Sequence, residues 1–239
     1  VTLYLSESRF LRIGSFTLFY VAQGLPIGLI SIALPAWLAE QAVPASQIAY
    51  FVAISGLPWG FKLLAGPVMD RFAYLPMGRR RPWVIAAQGG LLLSICLLGL
   101  MPDPVENIVL LTWLAFIVNS FAAVQDVAVD GMAIDVLPEE ERGKANAFMA
   151  FGQVAGFSGS AAACGLALVN FGIAGAAVFL ALGVTFIFAW GVAVRERLGE
   201  KLVPWTEGQA VTLSIASQAG DWRSIIINLF KVLFLPASL

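Results

Sequence analysis

Cations and long apolar stretches alternate along this chain in a way that leaves few folds open. Twelve of its 14 lysines and arginines fall in four groups: Arg9 and Arg12; Arg71, Arg79, Arg80 and Arg81; Arg142 and Lys144; and Arg195, Arg197, Lys201 and Arg223. The junctions between those groups, at 39–46, 102–107 and 169–174, carry no cation. Basic loops are retained in the cytoplasm while acidic residues have little say. The alternation therefore predicts six membrane crossings, with both ends of the six-helix bundle cytoplasmic.

Composition points the same way. At 59% hydrophobic and 12% charged, 239 residues are too apolar for a soluble domain and long enough for six or seven spans. A net charge of -1, with its cations in short loop runs that face anionic lipid, implies no nucleic-acid partner. Histidine is absent, which removes the imidazole base and the commonest metal ligand. Cys96 and Cys164 each lie within an apolar stretch, as small buried hydrophobes do. Neither a disulfide, a metal site, a catalytic group nor a cofactor is expected.

The expected fold class is an all-α membrane protein, a six-transmembrane-helix bundle over 1–194. Its helices are expected at about 13–37, 46–69, 83–101, 107–129, 146–169 and 173–194. Trp37 suits the outer interface and Trp83 the inner one. A polar stretch, 195–221, reads as a cytoplasmic linker, and 222–239 as the start of a truncated seventh helix. The first apolar stretch runs past Trp37 and is too long for a signal-peptide core. A start at Val1 and a stop at Leu239, within an apolar run too short for a relaxed crossing, read as a fragment of a longer protein.

Several polar residues interrupt these spans. Gln23-Gly24-Leu25-Pro26-Ile27-Gly28 predicts a kink or a partly unwound turn in the first helix, since proline removes a backbone donor. Lys62 lies about two turns before the inner end of the second helix. Asn119, Asp126 and Asp130 are spaced by seven and four, which puts all three on one face of the fourth. A charge inside the bilayer is costly, so Lys62 and Asp126 are expected to face the bundle interior and to pair. Binding of an anionic substrate or a proton would break that pair; a permanent bridge locking the second helix to the fourth is the alternative. Gln23 and Asn119 are candidates for a cavity lining, whereas Gln125 and Gln153 suit interhelical bonding. Gly152, Gly156 and Gly159 allow a neighbouring helix to approach closely. Pro138 followed by Glu139, Glu140 and Glu141 suits a helix start, with acids favourable in the first turn.

The loop between the second and third helices is the most specific segment. Gly66-Pro67-Val68-Met69-Asp70-Arg71 is followed after six residues by Gly78-Arg79-Arg80-Arg81. This resembles the signature of the major facilitator superfamily, with about five residues inserted between its two halves. The resemblance implies a gating loop at Gly66, Asp70, Arg71, Gly78, Arg79 and Arg80, whose charges pair with helix ends of an opposite bundle and release in turn. Three segments taken together, Gln23 to Pro26, Phe61 to Arg71, and Gln125 to Gly143, resemble the branch of AmpG-type muropeptide permeases and acetyl-coenzyme A transporters.

That branch implies secondary transport of an anionic small molecule, muropeptide-like or acyl-coenzyme A-like, coupled to protons and working by alternating access. Its path residues here would be Gln23, Lys62, Asn119, Asp126 and Asp130, and its partners a proton, the lipid bilayer and a C-terminal bundle of the same protein. A bacterial inner membrane is the expected location. Other readings are a cation-coupled sugar symporter, which shares the Gly-Arg-Arg-Arg-Pro run at 78–82, and a non-transporting assembly factor on the same scaffold. An intramembrane enzyme using Asp126 and Asp130 is disfavoured, because such dyads draw one acid from each of two helices.

Overall fold

The computed structural model describes residues 3–212, which are almost entirely helical. Six helical elements follow in order: α1, Arg9–Glu40; α2, Ala45–Phe61; α3, Ala65–Arg71; α4, Arg81–Gly99; α5, Ile108–Val136; and α6, Glu139–Ala193. Four of them, α1, α4, α5 and α6, are long and apolar enough to cross a bilayer, and the α2–α3 pair, bent by 45°, makes a fifth. At about 1.5 Å per residue, the 55 residues of α6 greatly exceed one bilayer crossing. They divide at Gly172, whose φ of 65° and ψ of -164° lie in a region essentially reserved for glycine.

Pairs of residues in contact reveal the direction of each element. Asn119 meets Ser55 and Asp126 meets Lys62, seven residues later on both elements, so α5 and the α2 segment run the same way. Gly152 lies against Thr17 and Gly156 against Val21, so α1 and the first arm of α6 are also parallel. Gly99 meets Ala177 while Gln88 meets Gly191, so α4 and the second arm of α6 are antiparallel.

The core is a continuous apolar cluster that includes Phe16, Leu29, Phe51, Leu91, Leu111 and Leu180. Unlike a soluble protein, the bundle is also apolar outside: Leu93, Leu166, Leu182 and Phe186 are 62–69% exposed. An exposed surface of this kind suits hydrocarbon, and a fold whose backbone is almost wholly helical satisfies its own N–H and C=O groups there.

Glycines bring α1 and α6 together. A Cβ at Gly24 would lie 2.3 Å from the Gln153 carbonyl, and one at Gly156 would lie 2.4 Å from the Val21 carbonyl. Small residues thus face one another across the crossing and let the two backbones touch. Gly159, expected from its spacing to share this role, has nothing within 4 Å.

The sequence placed the break in the first helix at Gln23–Gly28, but the chain stays α-helical through Pro26 and widens into a π turn at Leu29–Ala33. The expected continuous second helix is instead interrupted by a 3-10 turn at Lys62–Leu64. The first part of the expected linker is docked on the bundle: the Leu5 amide donates to the Arg195 carbonyl at 2.9 Å and the Arg195 amide to the Leu3 carbonyl at 2.9 Å. The expected seventh helix lies outside the described residues.

Gly156→Val should lower the unfolding temperature in detergent markedly, at a cost of roughly 1–3 kcal/mol, because the new side chain meets backbone. Gly159→Val should leave that temperature close to the parental value. Equal losses in the two variants would show that helix propensity rather than the close crossing is being measured.

Candidate functional site

Two polar clusters organise the molecule, one inside the bundle and one at its basic end. The inner cluster is centred on Asp126, whose side chain is 4% exposed. Lys62 donates from Nζ to Asp126 Oδ2 at 2.7 Å, and Gln23 from Nε2 to Asp126 Oδ1 at 2.6 Å. Each carboxylate oxygen therefore has a donor on a different element, α1 or the Lys62–Leu64 turn. That turn brings Lys62 toward α5, and the lysine also lies 5.8 Å from the centre of the Trp59 ring. Its side chain is 38% exposed, so one end of the ion pair is open while the other is sealed.

One helical turn further along α5, Asp130 accepts a hydrogen bond from the Tyr20 hydroxyl. Asp130 also borders a cavity of about 300 Å³ with Arg142, Asn146 and Met149. Two turns in the other direction, Asn119 donates from Nδ2 to the Ser55 carbonyl at 2.6 Å. Gln23 Oε1 and Asn119 Oδ1 are buried and accept no hydrogen bond from the described residues. Unused acceptors next to a half-open ion pair are what a polar solute or water can engage.

The structure thus brings Gln23, Lys62 and Asp126 into direct contact and sets Asp130 one turn away, with Asn119 further along the same face. Tyr20 was not anticipated. Its position three residues before Gln23 is a helical-face signal, but an aromatic hydroxyl within an apolar helix reads equally well as packing. Gln125 donates to the Phe19 carbonyl at 3.0 Å, the interhelical bond expected of it.

The second cluster gathers charges from five segments at the end that also holds the amino-terminal residues. Asp70 accepts from Arg79 Nη2 at 2.8 Å and from Arg80 Nη2. Asp135, at the end of α5, accepts from Arg79 Nη1 at 3.1 Å. Arg71, expected to share the role of Asp70, is exposed, with its guanidinium 5.9 Å from the ring centre of Phe72. The inserted residues shape this cluster: the 3-10 turn at Leu75–Met77 folds the chain back and brings Arg79 and Arg80 to Asp70. Gly66 would have room for a methyl group, 3.9 Å from Val127.

Glu196 is the residue that sequence reasoning missed here. It is wholly buried and accepts the backbone N–H groups of Arg79, Arg80 and Arg81 at 3.1, 2.9 and 2.6 Å. The first amide of α4, which has no cap from its own N-cap side chain, and the two amides before it are thereby satisfied by a residue more than a hundred positions away. Gly78 makes room for it: its φ is +101°, and a Cβ there would lie 2.6 Å from the Glu196 carboxyl carbon. Arg81 completes the junction by donating to the carbonyls of Gly191, Val192, Lys201 and Leu202. Arg12 forks onto Glu141 at 2.9 and 2.7 Å, tying α1 to the start of α6.

A family model described as Major Facilitator Superfamily matches residues 16–238. The chain belongs to the major facilitator superfamily. That superfamily is one of integral membrane transporters rather than of enzymes. Over 131 residues it is 36% identical to the anhydromuropeptide permease of Escherichia coli (strain K12), a match covering 55% of this chain and 26% of that protein. It is 31% identical over 123 residues to an uncharacterized protein of Haemophilus influenzae, covering 52% of this chain and 28% of the relative. A putative transporter AmpG 1 of Rickettsia felis is 28% identical over 139 residues, covering 56% and 31%. The similarity supports an AmpG-like member of the superfamily, and the matched part spans less than a third of these relatives.

In this superfamily member the docked segment after α6 carries its own titration. Burial pushes the Glu196 carboxyl up, against the three amides that hold it down. Burial, with the charge of Glu196 added, pushes Glu200 from an ordinary 4.5 up to about 7. A carboxyl raised on folding favours the docked state most fully below its unfolded value, and that contribution is lost as pH rises through the folded value. The protection of amides in 195–201, relative to their intrinsic base-catalysed exchange, should therefore fall between about pH 5 and pH 8. Glu200→Gln should flatten the profile, and an unchanged slope in that variant would count against Glu200 as its source.

Proposed function

We propose that this chain forms the amino-terminal six-helix half, 1–194, of a proton-coupled secondary transporter. Its substrate would be an anionic small molecule of the anhydromuropeptide class, moved by alternating access across a bacterial inner membrane. Both ends of the half are cytoplasmic in this reading, the basic cluster lies on the inner face, and 195–221 leads to a second bundle. Six crossings follow if the α2–α3 pair is one span and α6 is two, divided at Gly172. The alternating helix directions and the cation-free junctions at 39–46, 102–107 and 169–174 support that count.

The observation that carries the proposal is the ion pair of Lys62 with Asp126 at 2.7 Å, part open and part sealed within an apolar bundle. A pair of this kind contributes little net stability, yet removing one partner leaves an uncompensated charge. It is well suited to exchange. An anionic group of the substrate draws Lys62 Nζ away, and Asp126 Oδ2, left without its cation, takes a proton. When the substrate departs, the proton leaves and the pair re-forms. Gln23 holds the other oxygen of Asp126 throughout, and Asn119 offers a free acceptor along the same face. Asp130 with Tyr20 lies between the pair and the 300 Å³ cavity, in position to pass protons to the cytoplasm.

In the full-length protein, Asp126→Asn and Lys62→Ala should each reduce uptake of labelled anhydromuropeptide into proteoliposomes by about tenfold or more, with insertion intact. Uptake near the parental rate in both would remove the pair from the mechanism.

The gating loop is proposed to act through Asp70, Arg79, Arg80 and Asp135, with Arg71 outside the network. Asp70→Ala should shift the balance of inward-open and outward-open states, read as the labelling rates of cysteines engineered on the two faces. Arg71→Ala should leave both rates as they were.

A further inference from the structure

A large groove lies away from the charged pair, on the outside of the bundle. About 850 Å³ opens between the start of α1, the first turns of α6 and the last turns of its second arm. Its floor and walls are apolar, with Phe10, Leu18, Phe148 and Trp190 among the lining residues, and two cations, Arg9 and Lys144, stand at its rim. Phe10 is 89% exposed and Phe148 43% exposed, so the protein's described residues do not close the groove.

Charge at the rim is only loosely paired among the described residues. Arg9 has one long ion pair, 3.9 Å to Glu141, and both oxygens of that carboxylate are already held at 2.7 and 2.9 Å by Arg12. Arg9 keeps 58% of its side chain exposed. Lys144 lies over the Phe148 ring at 5.9 Å, which places its ammonium beside the apolar wall. Trp190 is fixed in the wall by its Nε1 bond to Ser15 Oγ at 3.0 Å. An apolar trough with two exposed cations at one edge, one of them only loosely paired, fits a molecule that is greasy along its length and negative at one end.

We infer that this groove binds one acidic phospholipid, its phosphate between Arg9 and Lys144 and an acyl chain along Leu18, Phe148 and Trp190. The site is independent of the proposed transport pathway, because none of its residues contacts Lys62 or Asp126. Its occupation ties the start of α1 to α6 beside the Arg12–Glu141 bridge.

Trp190 reports directly on occupancy. The full-length protein is placed in nanodiscs of phosphatidylcholine doped with brominated phosphatidylglycerol or, separately, brominated phosphatidylcholine, and the quenching lost in Trp190→Phe is taken as the groove's share. Brominated phosphatidylglycerol should quench that share about fivefold more effectively at equal doping, since each nearby cation strengthens attachment of an anionic headgroup. The double variant Arg9→Gln/Lys144→Gln, which alters two exposed side chains, should lose this preference and keep its quenching by phosphatidylcholine. Equal quenching of the parent by both lipids would reduce the groove to boundary lipid and overturn the inference. So would the absence of any Trp190-dependent quenching, which would mean that another stretch of protein fills it. Reversal of the effect by millimolar glycerol phosphate would assign the cations to a soluble phosphate instead.

Discussion

A carboxylate that cannot leave the bundle interior is the constraint around which the inner half of this structure is arranged. Asp126 lies in the middle of an apolar helix, where an unpaired charge would be expelled or neutralised. It is kept by two donors from two other elements, Gln23 and Lys62, and each has a structural consequence. Reaching the carboxylate with Lys62 coincides with a break in the helix, the 3-10 turn at Lys62–Leu64, and with the 45° bend between α2 and α3. Reaching it with Gln23 requires α1 to pass close beside α5, which the neighbouring Gln125 to Phe19 bond reinforces. One buried charge therefore fixes the relative placement of three elements that apolar packing alone would leave free to slide.

Close packing of α1 on α6 complements this arrangement from the opposite side. The glycine faces at Gly24, Gly152 and Gly156 remove every side chain between two backbones, so α1 cannot move away from α6 without opening a void. α1 is thus clamped between a polar contact and a steric one. Functional motion within the half would have to come from elsewhere, and the interruptions at Lys62–Leu64, Leu29–Ala33 and Gly172 are where the helical ladder is already irregular.

Much of this was legible in the sequence, and the limits have physical causes. The expectation that Lys62 and Asp126 pair and the small-residue spacing at Gly152 and Gly156 both rest on strong local penalties: a charge in hydrocarbon, a side chain in a tight crossing. The contribution of Glu196 was not legible, because a cap supplied from over a hundred residues away leaves no mark near the helix it caps. The partners of Asp70 within the half were not legible either, because Arg79 and Arg80 reach it from the far side of an insertion. The irregularity of α1 was expected at Gln23–Gly28, yet the helix continues through Pro26 and the π turn falls at Leu29–Ala33.

The network at the basic end also bears on how a second lobe could act on this one. Asp70 Oδ1 is engaged within the half by both Arg79 and Arg80, and Asp135 by Arg79, while Glu196 holds the backbone of Arg79, Arg80 and Arg81. A gating contact from another bundle would then be a competition rather than a simple capture. It must offer Asp70 or the arginines a better partner than they already have, or displace Glu196 from the start of α4. Because Glu196 and Glu200 are buried acids with raised protonation tendencies, the hold of that segment weakens as the acids ionise. Asp135 closes the same helix that carries Asp126 nine residues earlier, so a change in the hold of the docked segment and a change at the inner ion pair would both be felt along the second half of α5.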